Sequence, residues 1–467
     1  MGGKNRNYFE KGWGFGWVIH VKGKKMKKIL SILLGLVMLV SCLGGCSDRQ
    51  RPSPDAPVTL TMWHVYGEQA DSPMNRLIDE FNKTIGKEKG IVIDVTMMSN
   101  SSQIGGKLLE AQADLPGAPE MPDLFFCHSN NADALGTENL INWHDYFSDE
   151  ELNKYVPEFV KDGMVGETLS VFPVSKSTHL LFVSGGQFER FSAATGVTYE
   201  SLLTWEGFFD AAEKYYEWSG GKSFCAFDYL IRSVELNAIS KGAEDFYTAD
   251  GWYDFENEIF KSSWMEFAES LAKGHIVVSD LYSNTQVMTG DVISGIGSSA
   301  SILYYNDTVT YADNSQEPIK LKVLPAPQPE NEKQFVTQAG VGLCAYKTTT
   351  QKAEAAAVFA KWLTESDRNL SFVTETGYMP VNNDSFDKIE NYTFKNEAYK
   401  SLYETLVTVR KNCIAKSEPS YPNYYDKVTA LYNNLRAMQN ELKNRYASGE
   451  DAITLAEETW NVFCAIK

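Results

Sequence analysis

Hydroxyl, amide and indole side chains just after the predicted strands are the residues of this chain best suited to chemistry. Trp63 ends a first apolar strand and His64 and Glu68 follow it; Ser101 and Ser102 follow a second, and Ser129 and Asn130 a third. Hydroxyls and amides donate and accept hydrogen bonds without carrying charge, and an indole pairs an apolar face with a polar edge. That is chemistry for holding a polar small molecule, although each type also serves as ordinary loop or core material. Phe227-Asp228-Tyr229, Trp252 and Tyr253 are stacking platforms or core on the same footing. Bond-breaking motifs are scarce: the chain has no Gly-x-Ser-x-Gly elbow and no His-Glu-x-x-His pair. Among 61 acidic residues, a carboxylate pair at glycosidase spacing stays open. The five histidines after residue 45 are unclustered, so no metal is expected, and no cofactor motif is present.

Cys46 is a different kind of chemical residue. It ends Leu43-Gly44-Gly45-Cys46, behind an apolar run from Ile29 to Val40 and a basic cluster of Lys22, Lys24, Lys25, Lys27 and Lys28. A basic region, an apolar region and small residues before a cut make a secretory signal. The apolar run is shorter than the ~20 residues of a membrane span. Leu-small-small-Cys is the lipobox of bacterial lipoproteins, so lipidation of Cys46 is expected on the extracytoplasmic face of a bacterial membrane. Residues 1–25 fit no signal peptide, and Met26 reads as the natural start.

The chain's formal charge of −18 becomes −25 once residues 1–45 are removed, since eight of its 43 basic side chains lie there and only one acidic one. Such a surface repels nucleic acid and anionic headgroups, so neither is an expected partner. The remaining five cysteines (Cys127, Cys225, Cys344, Cys413, Cys464) are odd in number and widely spaced, which excludes a disulfide framework. At 13% aromatic, most rings must be core, with a surplus of the kind that stacks on sugar rings.

The elements follow. Residues 46–57 are a polar, proline-rich tether expected to lack regular structure. Val58–Trp63 predicts a strand. Ser72 and Pro73 predict the start of a helix whose face is Met74, Leu77, Ile78 and Phe81. Ile91–Met97 alternates as a second strand, a helix spans about 103–113, and Asp123–Cys127 is a third strand. Strand–helix alternation of this kind implies a parallel sheet covered by helices, an α/β fold. Helical faces follow at Trp205–Tyr216, Trp264–Leu271, Ala355–Leu363, 425–446 and 451–466.

Five markers in order resemble the extracellular solute-binding proteins (family 1) of bacterial ABC importers, in the branch of maltose-type and glycerol-3-phosphate-type binding proteins. They are Leu60-Thr61-Met62-Trp63-His64; Met121-Pro122-Asp123-Leu124-Phe125-Phe126; Phe172-Pro173-Val174-Ser175-Lys176-Ser177-Thr178; Thr204-Trp205-Glu206; and Gly340 to Val381 with its Gly377-Tyr378-Met379-Pro380-Val381. The resemblance implies a two-lobed periplasmic-binding-protein-like fold (class II), with hinge-linked lobes and a ligand cleft between. It implies lobe 1 at 58–174 plus 336–378, lobe 2 at 175–335 plus 379–467, and chain crossings near Val174–Thr178, Phe335–Gln338 and Gly377–Pro380.

The resemblance also adds site residues: Ser175, Ser177 and Thr178 at the hinge, Ser298 and Ser299 in a small-residue turn, Gly340, Tyr378, and Tyr424 with its neighbours. Ligands in α/β sheets settle beyond the carboxyl ends of strands, which suits Trp63, Ser101 and Ser129. Glycerol-3-phosphate binders of the family place an arginine on the phosphate near residues 417–426, a stretch with no arginine here. That departure favours a neutral, hydroxyl-rich ligand, a mono- or oligosaccharide, over glycerol 3-phosphate or a glycerophosphodiester. A secreted glycan hydrolase is the less favoured alternative. The implied protein is a monomeric receptor without enzymatic activity that hands a carbohydrate to an ABC permease.

Overall fold

Ser72 caps helix α1 (Pro73–Lys83) through a hydrogen bond accepted from the Asn75 amide, and Pro73 occupies the first turn, where its missing N–H costs nothing. Met74, Ile78 and Phe81 of this helix are buried, as their spacing predicts. The computed structural model to which this helix belongs describes residues 51–466, apart from 67–71, 98–100, 245, 250, 281, 420 and 422. The signal segment with Cys46, and Glu68, lie outside the described residues. Ser101 opens a helix, but the side chains at 97 and 101–103 also lie outside them.

The strands that position the site are, in chain order, β1 (Val58–His64), β2 (Ile91–Met97), β3 (Leu124–Cys127), β4 (His179–Val183), β5 (Cys225–Phe227), β6 (Ile276–Val278), β7 (Ser294–Ser298), β8 (Lys322–Pro325), β9 (Phe335–Gln338), β10 (Gly342–Ala345) and β11 (Ile414–Ser417). One sheet has the order β10-β3-β1-β2, with β1 parallel to both β2 and β3, and β10 antiparallel to β3. The other has the order β8-β4-β7-β5-β6, in which β7, β5 and β6 are mutually parallel neighbours. Each sheet is the centre of a lobe, and the strand–helix alternation of the sequence is thus realised as an α/β fold. Among the described residues, no helix is long and apolar enough to cross a membrane.

The segments expected to cross between lobes lie side by side. Ser177 and Ala339 exchange backbone hydrogen bonds of 2.9 and 3.0 Å, and Lys176 and Met379 exchange another pair. Phe172 still bonds to Leu343 of the first sheet, whereas His179 already pairs with Ser298 of the second. The chain therefore changes lobes within Pro173–Thr178. After the third crossing it doubles back: Val156 donates to the Val381 carbonyl and Asn383 to that of Lys154, so residues 381–383 sit on first-lobe helices.

The tether behaves differently from its composition at its end. Ser53 and Ala56 form a β-bridge, and the Ala56 carbonyl accepts from Gln351, so these residues dock onto the first lobe. Much of the aromatic surplus is core. Trp252, Tyr253, Phe260, Trp264, Trp460 and Phe463 pack together in the second lobe, with ring centroids as close as 4.6 Å for Trp264 and Phe463.

Candidate ligand-binding site

A cavity of about 470 Å³ opens where the two lobes face each other. Its first wall comes from the end of β3, where His128, Ser129 and Asn130 lead into helix α2 (Ser129–Leu135), and from helix α3 (Pro157–Asp162) with Glu158, Lys161 and Asp162. The floor is the turn Gln338-Ala339-Gly340 between β9 and β10. The opposite wall is the end of β11, Lys416, Ser417 and Glu418, followed by Tyr425 in helix α4 (Tyr424–Ala447). Strands β9 and β11 run parallel, so Gln338 and Ser417 are paired at their carboxyl ends. The cavity thus sits where strand ends leave backbone groups free to meet a ligand.

Lys176 and Asp162 form a buried ion pair behind this surface, with side chains 2% and 15% exposed. Lys176 also donates to the Gly340 carbonyl at 3.4 Å. Burial alone would raise the Asp162 carboxyl, but Lys176, with hydrogen bonds from Ser417 and Gln338, holds it below the usual carboxylate range. Burial, aided by the Lys176 charge, lowers His128 to about 4, so its imidazole is neutral at pH 7. Burial raises the Glu418 carboxyl, which accepts a hydrogen bond of 3.0 Å from the Tyr425 hydroxyl.

Gln338 has one assignable orientation. Its Nε2 donates to the Glu158 carbonyl at 3.1 Å and to Ser417 Oγ at 3.3 Å, and a carbonyl partner requires nitrogen there. Its Oε1 is buried and meets no donor among the described residues. Arg232 fixes the strand pair from behind: Nη2 donates to the carbonyls of Lys416 and Ser417 at 2.7 and 2.9 Å, Nε donates to Thr337, and Glu235 balances the charge at 2.7 Å. Among the described residues, no group of three His, Cys, Asp or Glu side chains could hold a metal ion.

Of the residues singled out from sequence, Ser129, Asn130 and Gly340 line this cavity. Ser129 Oγ donates to the Asp162 carbonyl at 2.8 Å, and Gly340 has φ +113°, a conformation that favours glycine. The hinge residues are close by but turned into protein. Ser175 Oγ lies 3.0 Å from the Tyr66 hydroxyl, Ser177 and Thr178 are buried, and the Thr178 carbonyl accepts from Ser299. Ser298 Oγ caps the Ala300 amide, and Ser299 is buried. Tyr378 packs edge-on against Tyr66, and its carbonyl accepts from the Tyr403 hydroxyl at 2.8 Å.

The structure does not bring the remaining candidates to the cavity. Trp63 is core on the back of the first sheet. His64 is fully buried, with Nε2 against Asn75 Oδ1 at 2.8 Å and Nδ1 accepting from the Tyr66 amide. Trp252 sits in the aromatic core, and Tyr424 is buried with its hydroxyl donating to Glu235 at 2.9 Å. Asp228 accepts from the Ser283 amide, Ser283 Oγ and Ser279 Oγ, and burial raises its carboxyl to about 6 despite these bonds. It ties loops together rather than facing a ligand. Asp162, Lys176, Gln338 and Glu418 were missed as site residues, although Lys176 and Gln338 fall within the segments expected to cross between lobes, and Tyr425 was named only as a neighbour of Tyr424.

Residues 76–400 match the family described as bacterial extracellular solute-binding protein. Solved structures of similar fold include the cyclic alpha-maltosyl-1,6-maltose binding protein of Arthrobacter globiformis, at 17% identity and a TM-score of 0.63, covering 87% of this chain and 99% of that one. UgpB from Mycobacterium tuberculosis, solved with glycerophosphocholine, is similar at 15% identity and a TM-score of 0.62, over 88% and 98% of the two chains. The sugar-binding protein MalE of Xanthomonas citri is similar at 14% and 0.63, over 87% and 98%. No curated protein sequence matches the chain. The family match spans well over half of the chain, and the protein belongs to the bacterial extracellular solute-binding proteins.

Proposed function

We propose that this chain is the carbohydrate receptor of an ABC importer, lipid-anchored through Cys46, which captures its ligand between a first lobe of residues 58–174 plus 336–378, joined by 381–383, and a second lobe of 175–335 plus the rest of 379–467. The charge balance of the cavity carries this reading. Lys161, Lys416 and the Lys176 behind them match Glu158, Asp162 and Glu418 in number, and no arginine lines the wall. A site with no net formal charge and many donors and acceptors suits a neutral polyol, because an ionic ligand would need an uncompensated counter-charge. Several similar structures hold or are named for maltose-type sugars, which supports the same class.

Binding without turnover completes the role. The ligand bridges the walls and favours the closed arrangement, which the permease then reads. A glycerophosphodiester is the second reading, favoured by Lys161 and Lys416 at the cavity surface and by the similar structure that holds glycerophosphocholine. A thermal-shift screen separates the two. A saccharide at 100-fold its dissociation constant adds about 2.7 kcal/mol, whereas stabilisation by phosphorylated compounds alone would overturn the carbohydrate reading.

A further inference from the structure

Two thiols from distant parts of the chain meet in the first lobe. Cys127 ends β3 and Cys344 lies within β10, and their sulfur atoms are 3.5 Å apart. The register explains the meeting. Cys127 stands opposite Gly342 and Cys344 opposite Phe125, so the thiols are diagonal neighbours on one face of an antiparallel pair. Both are fully buried, in one core cluster with Phe125, Trp63 and Leu108. They lie 217 positions apart in the chain, so no local spacing links them.

Their place in the fold gives the pair a consequence. Cys127 immediately precedes His128, Ser129 and Asn130 of the cavity wall, and β10 leaves the floor turn at Gly340. β10 is also the outermost strand of its sheet and the segment that returns from the second lobe. A covalent link here ties the wall strand to the floor strand. The family is extracellular, a setting in which disulfides form and persist. The other described thiols lie elsewhere: Cys225 in β5 of the second lobe, Cys413 just before β11, and Cys464 at the end of the last helix.

We propose that Cys127 and Cys344 are a modification site, oxidised to a single disulfide that joins β10 to β3. The oxidant is a disulfide of the extracytoplasmic space, carried by a small thiol compound or by an oxidoreductase. One cysteine thiolate attacks it to give a mixed disulfide, and the second cysteine then displaces the carrier's remaining sulfur. Two S–H bonds of the chain are lost and one S–S bond forms, while the carrier leaves as two thiols that hold both protons. The sulfur atoms close by about 1.5 Å to reach bonding distance, through rotation of the two side chains.

Burial sets the timing. It holds the Cys344 thiol well above its ordinary range, with Cys127 adding to the effect, so the folded protein contains little of the thiolate that exchange requires. Oxidation therefore belongs to folding, before β10 closes on β3, and the finished bond is shielded from reductant.

The test is peptide mapping of the full-length chain after refolding with oxidised glutathione, with free thiols alkylated in denaturant before digestion. The peptide that carries Cys127 should be joined to the one that carries Cys344, at the sum of their masses less two hydrogens. Cys127→Ala, Cys344→Ala and the double variant should each lower the melting temperature by the same amount, about 5 °C, because each removes the same bond. Dithiothreitol should split the bond only once denaturant is added. Alkylation of both cysteines after oxidative refolding, or Cys127 joined to any other cysteine, would overturn the proposal. So would single-variant losses that sum to that of the double variant, the mark of thiols that only pack.

Discussion

The Cβ that Gly377 lacks would lie 2.8 Å from the Ser299 carbonyl and 2.4 Å from Ile302 Cγ2. Gly377 ends the helix Ser366–Thr376 in a left-handed conformation, φ 74°, at the point where that helix meets the loop after β7 of the second lobe. Replacement by alanine therefore adds backbone strain to a collision. Gly377→Ala should lower stability by about 2 kcal/mol or more, read as the midpoint of urea unfolding. A change within a few tenths of a kcal/mol would mean that the two lobes do not pack here as described.

Lys176 and Asp162 should be worth more as a pair than either is alone. Removing one partner of a buried pair strands the other charge and costs about 3–5 kcal/mol. Lys176→Met should fall in that range, and Lys176→Met combined with Asp162→Asn should recover most of the loss. Equal destabilisation by the single and double variants would show that the ion pair is not formed.

Acidification should destabilise the fold between pH 6.5 and 4. Burial lowers His128 and His275 to about 4 and His179 to about 3, and also lowers His64. A histidine with a depressed pKa contributes stability that is complete above its unfolded pKa of about 6.5 and lost as pH falls toward the folded value. Asp228 and Glu418 act in the opposite sense, since their raised pKa values favour the folded state at lower pH. Four groups oppose two, so the melting temperature should drop on going from pH 7 to 4. Asp228→Asn removes one opposing contribution and should steepen the drop; a shallower curve would reverse the sign assigned to Asp228.

Arg232 should control the cavity without touching a ligand. Its guanidinium holds the carbonyls of Lys416 and Ser417, whose side chains line the wall. Arg232→Lys keeps the charge and cannot reproduce the fork of bonds. Ligand affinity should fall by about tenfold or more, with Glu235→Gln giving a smaller loss in the same titration. Unchanged affinity would separate Arg232 from the site.

The fold was legible because its signals are local and periodic. Ser72-Pro73 and the Met74, Ile78, Phe81 spacing define a helix by themselves, and the markers from Leu60 to Val381 keep their order in the structure. The cavity was less legible because strand and helix geometry decide which neighbour faces it. Ser175 and Ser177 flank Lys176, and alternation along an extended segment separates them from it. Tyr424 turns into the core while the next residue, Tyr425, lines the wall. Trp252 was a candidate by composition, yet a large ring with a 5% exposed surface is core. Gln338 and Glu418 become neighbours only through the pairing of β9 with β11, a contact between distant segments that no local pattern encodes.

The central claim is that the cavity between the lobes holds an uncharged carbohydrate. A structure determined with a saccharide bound tests it most directly. The account predicts a sugar ring within hydrogen-bond distance of Asn130, Lys161 and Glu418, with the Tyr425 ring against one of its faces. A saccharide seated elsewhere, or a phosphate held by Lys161 and Lys416 in that cavity, would contradict it.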